Sequence, residues 1–197
     1  LGTETAFEVL AKAKKLEAQG KDIVHLEIGE PDFETPDHIK EAAKKALDDN
    51  FTHYVPSPGL MEVREVIAEH QSAVHNKNIS PENVVFTPGA KPIMFFTIMA
   101  LIEPGDEVIY PNPGFPIYES MINYVGGKAV PMELKEEKEF NADVDLIEQS
   151  ITDKTKLIIL NSPNNPCGSV MEPSDIKRVA DIAKEKDIVI LTDEVYK

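Results

Sequence analysis

The chain has 197 residues, with 20 Lys plus Arg against 35 Asp plus Glu, five His, one Cys and no Trp. That length predicts one ordinary domain, or a large piece of a bigger protein, and a hydrophobic share of 42% with 28% charged residues excludes a disordered chain. A net charge of -15 without a basic cluster argues against nucleic-acid and anionic-membrane partners, and the lone Cys167 excludes a disulfide framework or a Cys-based zinc site.

Apolar periodicity predicts a first helix from about Thr5 to Gln19, with Phe7, Leu10, Ala11 and Leu16 inward and Gly20 as its stop. Asp22 to Ile28 reads as a short strand. Thr35 as cap and Pro36 at the first helical position start a helix to about Asn50. A third helix, from about Gly59 to Val74, carries Leu60, Val63, Ile67 and Val74 on one side. From residue 81 strands and helices alternate. Strands are expected at Asn83 to Phe86, Glu107 to Tyr110, Lys128 to Leu134, Leu157 to Leu160 and Ile188 to Leu191. Helices are expected at Ala90 to Ile102, Phe115 to Val125, Val144 to Ile151 and Pro173 to Lys186. The helix from Ala90 is apolar nearly all round, and is therefore expected to be buried. Such alternation means an α/β fold with a mainly parallel sheet and helices on both faces. The longest charge-free apolar run, Pro92 to Ile102, is too short to cross a bilayer, and no signal-peptide pattern opens the chain. A cytoplasmic protein is the expectation.

In open parallel sheets ligands collect beyond the carboxyl ends of the strands. The first regular strand here leads into Thr87-Pro88-Gly89-Ala90-Lys91, where a glycine at a helix start lets backbone donors approach an anion. A simple turn would look the same, and neither nucleotide-binding glycine fingerprint is present. The next strand ends in Pro111-Asn112-Pro113-Gly114-Phe115, a stiff loop that offers an aromatic face, although Phe115 taken alone reads more readily as core than as a stacking ring. Asn161-Ser162-Pro163-Asn164-Asn165-Pro166 follows another strand, and turn chemistry explains its Pro residues better than its Asn-Asn pair. Asp193 closes an all-apolar strand, a costly place for a carboxylate without a cation or strong donors. The five His are scattered, and no metal site is expected. A phosphate cradle, a flat ring, an amide and a carboxylate at one sheet edge suit a phosphorylated, protonated aromatic cofactor.

These motifs stand in a telling order: Gly29-Glu30-Pro31-Asp32-Phe33, Tyr54 with Gly59, Pro88-Gly89-Ala90, Pro104-Gly105-Asp106-Glu107-Val108, Pro111-Asn112-Pro113-Gly114-Phe115, Asn161 to Pro166, and Asp193-Glu194-Val195-Tyr196. The chain resembles the N-terminal portion of a class I/II aminotransferase of fold-type I, over essentially its whole length. The resemblance implies an aminotransferase-like large domain, here truncated, with 1–35 contributing to a small domain and 36–197 to the cofactor domain. It implies pyridoxal 5′-phosphate (PLP) as cofactor. Gly89, Ala90 and Lys91 would hold its phosphate, and Phe115 would stack on its ring. Asn165 and Tyr196 would bond its phenolic oxygen, and Asp193 would pair with its ring nitrogen. Gly29 would lie near the substrate carboxylate. Tyr54 would reach the phosphate of the partner subunit, which implies a homodimer with shared active sites. Cys167 in place of the usual Thr, Pro92 after the phosphate turn and Phe115 in place of Tyr or Trp depart from the family pattern.

The family's Schiff-base lysine and substrate-carboxylate arginine lie further along than this sequence runs, and Lys197 stands too early to be that lysine. The catalytic lysine is therefore not assigned here. The expectation is a fragment of an enzyme transferring an amino group between an amino acid (aspartate, alanine or aromatic) and a 2-oxo acid, itself inactive. Two other outcomes stay open, a PLP lyase on the same fold and a non-catalytic binding or regulatory module.

Overall fold

Four parallel strands order the second half of the chain: β1 (Glu107–Asn112), β2 (Lys128–Glu133), β3 (Thr155–Asn161) and β4 (Val189–Asp193), arranged in space as β2-β1-β3-β4. In the computed structural model, residues 5–196 are described. They divide into two compact units, one running to Thr87 and the other starting at Pro88.

In the second unit β1, β2 and β3 are each followed by a helix that returns the chain to the sheet's other end, as parallel pairing requires. Residues of β1 and β3 alternate between faces. Ile109, Ile158 and Leu160 join Val144, Ile147, Val179 and Ile182 in one core. Val108, Tyr110, Leu157 and Ile159 join Met94, Ile98, Tyr118 and Ile122 in the other. The helices α6 (Val144–Ser150) and α7 (Pro173–Glu185) thus cover one face, while α4 (Lys91–Leu101) and α5 (Ile117–Tyr124) cover the opposite one. With both faces covered, the central strands carry apolar residues without polar alternation. The α/β class with helices on both sides is as expected.

α4 corrects one expectation. Met94 and Ile98 are buried, but Ile93, Phe96 and Met99 are exposed. The helix is apolar all round, yet the sheet and α5 reach only one of its sides.

A carboxylate at the start of β1 is unusual and well provided for. Glu107 is buried, its Oε1 accepting from Lys128 Nζ at 2.8 Å and its Oε2 from the Thr152 hydroxyl at 2.6 Å. Lys128 first, then Thr152, holds this carboxyl below the usual carboxylate range. Because the folded state lowers the value, the stabilisation is present above the ordinary range and lost as pH falls through the folded value. Glu107→Gln is therefore expected to destabilise the protein by about 1–2 kcal/mol at neutral pH, with urea unfolding curves of variant and wild type converging toward pH 3. Equal differences at both pH values would remove the ionised Glu107 from the account.

The first unit contains α1 (Thr5–Glu17), α2 (Asp37–Asp48) and α3 (Met61–His75). Two expected strands are absent from it. Residues 22–28 are irregular, with Val24 and Leu26 exposed. Asn83 to Phe86 follows a short 3-10 turn (Pro81–Asn83), and its donors go elsewhere: Val84 N–H to the Pro81 carbonyl and Phe86 N–H to that of Pro58. An apolar run becomes a strand only beside a partner edge, and neither segment has one among the described residues. Thr35 does not cap α2, which starts after Pro36 without a side-chain cap. The inward sides of α1 and α3 match expectation only in part. On α1 Leu10 and Leu16 are half-buried beside the buried Ala13, while Phe7 and Ala11 are exposed, and on α3 Leu60 and Ile67 are half-buried beside the buried Arg64 and Ala68, while Val63 and Val74 are exposed. Arg64 is buried because its guanidinium answers backbone acceptors, Nη2 donating to the Pro81 carbonyl at 2.8 Å and Nε to that of Val84 at 2.9 Å.

Candidate functional site

The strand order reverses between β1 and β3: the chain leaves β1 toward β2, then crosses back to β3 and β4. Such a switch point leaves a crevice at the carboxyl ends, because the two flanking loops turn to opposite sides. A cavity of about 370 Å³ is lined by residues from these strand ends and from the start of α4: Pro88, Gly89, Ala90, Lys91, Phe115, Asn165, Asp193, Val195 and Tyr196. The structure thus brings together Gly89, Ala90, Lys91, Phe115, Asn165, Asp193 and Tyr196, all singled out above. Gly29 and Tyr54 belong to the first unit, where Gly29 sits in an irregular stretch and Tyr54 is fully exposed. Lys197 lies outside the described residues.

One end of the cavity is electropositive. α4 starts without a side-chain cap and without an acidic residue in its first turn, so the partial positive charge of a helix N-terminus is not neutralised from within. Gly89 has φ +90°, a conformation that side chains rarely adopt, and a Cβ placed there would meet nothing within 4 Å. The turn therefore presents bare backbone. Lys91 Nζ stands 5.8 Å from the centre of the Phe115 ring, within reach of a cation–π contact. Phe115 is half-buried. It packs on the core beneath and lines the cavity above.

The cavity lining also holds a carboxylate. Asp193 ends β4 and is buried. Its Oδ2 accepts from the Tyr118 hydroxyl at 2.5 Å and its Oδ1 from Val195 N–H at 3.3 Å. Asn161, the last residue of β3, ties the loops together. Its Nδ2 donates to the Asp193 carbonyl at 3.0 Å and to the Pro163 carbonyl at 3.2 Å, while its Oδ1 accepts from Asn165 N–H at 2.7 Å. Asn165, one of the residues lining the cavity, is thereby fixed at its backbone. Asn164 serves the turn, its Oδ1 accepting from Cys167 N–H at 3.1 Å. The prolines of these loops include three cis bonds, before Pro113, Pro163 and Pro166.

Sequence reasoning missed Tyr118 and Asn161. Both had a signal. Asn161 is a polar residue closing an apolar strand, and Tyr118 follows Phe115 by one helical turn. Among the described residues, no group of His, Cys, Asp and Glu side chains could hold a metal ion, and no helix is long and apolar enough to cross a membrane.

The family described as Aminotransferase class I and II matches residues 21–197. This chain belongs to that family. The aspartate aminotransferase of Pyrococcus abyssi is 44% identical over 177 residues, covering 89% of this chain and 46% of the relative. The solved aspartate aminotransferase from Thermus thermophilus with maleate has a TM-score of 0.93 at 38% identity, covering 98% of this chain and 50% of that one. The alanine aminotransferase from Pyrococcus furiosus has a TM-score of 0.94 at 34% identity, with the same coverage. The chain spans about half the length of the relatives it matches. Aminotransferases of this family are in general PLP-dependent.

Proposed function

We propose that this chain holds PLP in the cavity at the carboxyl edge of its sheet, and that the protein it forms moves an amino group between an amino acid and a 2-oxo acid. The observation that carries this reading is the lining of one cavity, which joins an uncapped helix start with Lys91, a flat aromatic and a buried carboxylate. Few ligands combine a phosphate dianion, an aromatic ring and a protonatable ring nitrogen. PLP does, and in transamination it supplies the electron sink that stabilises negative charge at a substrate carbon.

Each side chain then has a defined task. Gly89, Ala90 and Lys91 bind the phosphate through backbone donors, the helix dipole and one ammonium. Phe115 carries the ring on its face. Asp193 keeps the ring nitrogen protonated, since a buried carboxylate beside a cation favours the charged pair. Asn165 and Tyr196 donate to the phenolic oxygen. Aspartate, alanine and aromatic amino acids are the candidate amino donors. A homodimer in the cytoplasm, with Tyr54 reaching the partner's phosphate and Gly29 near the substrate carboxylate, belongs to the same reading. So does the assignment of 1–35 to a small domain and 36–197 to a cofactor domain.

Equilibrium titration tests the proposal. The chain is expected to bind PLP saturably and pyridoxal, which lacks the phosphate, at least about tenfold more weakly. Absence of saturable PLP binding, or indifference to the phosphate, would sink it. Phe115→Leu keeps the apolar volume but removes the aromatic face, and is expected to weaken PLP about three- to tenfold. An unchanged affinity would place the ring elsewhere.

A further inference from the structure

The geometry points to Tyr118 as a positioning residue that fixes the Asp193 carboxylate as an acceptor for a protonated ring nitrogen. This inference rests on the reading of the cavity as a PLP site. Tyr118 does not line the cavity. It is fully buried in the first turn of α5, within the core that also contains Ile98, Val108 and Leu157. Its hydroxyl donates to Asp193 Oδ2 at 2.5 Å across 75 positions of sequence. Its ring also meets Phe115 edge-on, with centroids 5.9 Å apart and planes at 86°. One buried side chain thus touches both the ring that would stack and the carboxylate that would pair.

Chemistry sets the direction of the hydrogen bond. Burial first, then the contact with Asp193, pushes the Tyr118 phenol far above its ordinary range, so the hydroxyl keeps its proton. The carboxylate oxygen that it meets is therefore the acceptor. Each carboxylate oxygen has two lone pairs, and the donors from Tyr118 and Val195 leave capacity for a third. That third donor would be the protonated nitrogen. The rigid core beneath Tyr118 thereby holds the acceptor still, which is what preorganised electrostatics requires.

The test compares PLP with its 1-deaza analogue, in which C–H replaces the ring nitrogen, and follows ring-labelled 15N-PLP by NMR. Tyr118→Phe keeps the ring edge on Phe115 and removes only the hydroxyl. It is expected to weaken PLP about five- to tenfold and the deaza analogue less than about twofold. The 15N signal is expected to move from the pyridinium toward the neutral position. In an Asp193→Asn background, Tyr118→Phe is expected to leave the PLP-to-deaza ratio unchanged. If Tyr118→Phe weakens both ligands equally, or leaves both affinities and the 15N signal unchanged, Tyr118 is only a wall of the core and the inference is overturned while the PLP reading stands. A ratio that still shifts in the Asp193→Asn background overturns it as well. If the wild-type chain binds neither ligand, the PLP reading itself fails and takes this inference with it.

Discussion

Asp193→Ala is expected to weaken PLP binding by about tenfold to a hundredfold, and to destabilise the protein by about 2–3 kcal/mol even without ligand. Two separate losses lie behind these figures. Toward the cavity, the charged acceptor for the ring nitrogen disappears. A hydrogen bond to an ionised group is stronger than a neutral one. Toward the core, the Tyr118 hydroxyl loses its acceptor at a position with no solvent access, and an unsatisfied buried donor carries the full desolvation penalty. Asp193→Asn separates the two effects, since it retains an acceptor for Tyr118 but not the negative charge. It should recover most of the stability and little of the affinity. The pair of variants is read by urea unfolding and by PLP titration. Should Asp193→Ala bind PLP as tightly as wild type, the carboxylate does not face the ring nitrogen, and the orientation proposed for the cofactor is wrong.

Gly114→Ala is expected to be the more damaging substitution for the fold. A Cβ at this position would stand 2.2 Å from the Pro111 carbonyl oxygen and 3.1 Å from its carbon. Both are backbone atoms of a proline-bounded loop, so neither can swing aside as a side-chain end could. The loop itself must open, at an expected cost of about 3 kcal/mol or more. Phe115 is the next residue, so the displacement should reach the cavity as well. Gly89→Ala is the informative contrast. It meets no atom within 4 Å and differs only in its positive φ, so it should cost about 1–2 kcal/mol in backbone strain alone. Thermal unfolding of the two variants side by side checks the ranking. Equal losses would mean that the Pro111 loop is more compliant than its prolines imply.

The parts of the fold that were legible in the sequence are those where local pattern and tertiary environment agree. Leu157 to Leu160 is uniformly apolar because it lies between two helical layers, and nothing else explains such a run of that length. Of the four residues of α7 that the pattern sets inward, Val179 and Ala183 are buried, whereas Ile176 and Ala180 are exposed. Agreement failed where the pattern needed a neighbour. Asp22 to Ile28 and Asn83 to Phe86 have strand-like composition, but pairing depends on an adjacent edge that composition does not reveal. The exposed side of α4 is the converse case: the helix was right, and its apolar Ile93, Phe96 and Met99 said nothing about which side the sheet would cover. At the cavity, residues that present their own chemistry were legible, such as Asp193 closing an apolar strand or Gly89 opening a helix. Tyr118 and Asn161 were not, because their importance lies in partners 75 and 32 positions away.

The cavity has a folding-order consequence. Its walls come from the start of α4, from segments after β1 and after β3, and from the end of β4, and β1 meets β3 only after the chain has made the excursion through β2. No local stretch of sequence can prefigure it. Closing such distant contacts is slow relative to helix formation, so the cavity is completed only when β4 docks beside β3. A ligand that binds the finished cavity and not the open chain would then act as a clamp on the last step of assembly, shifting the equilibrium toward the closed sheet in proportion to its occupancy. Saturation with cofactor would be, at the same time, a readout of how much of the population has its final strand in place.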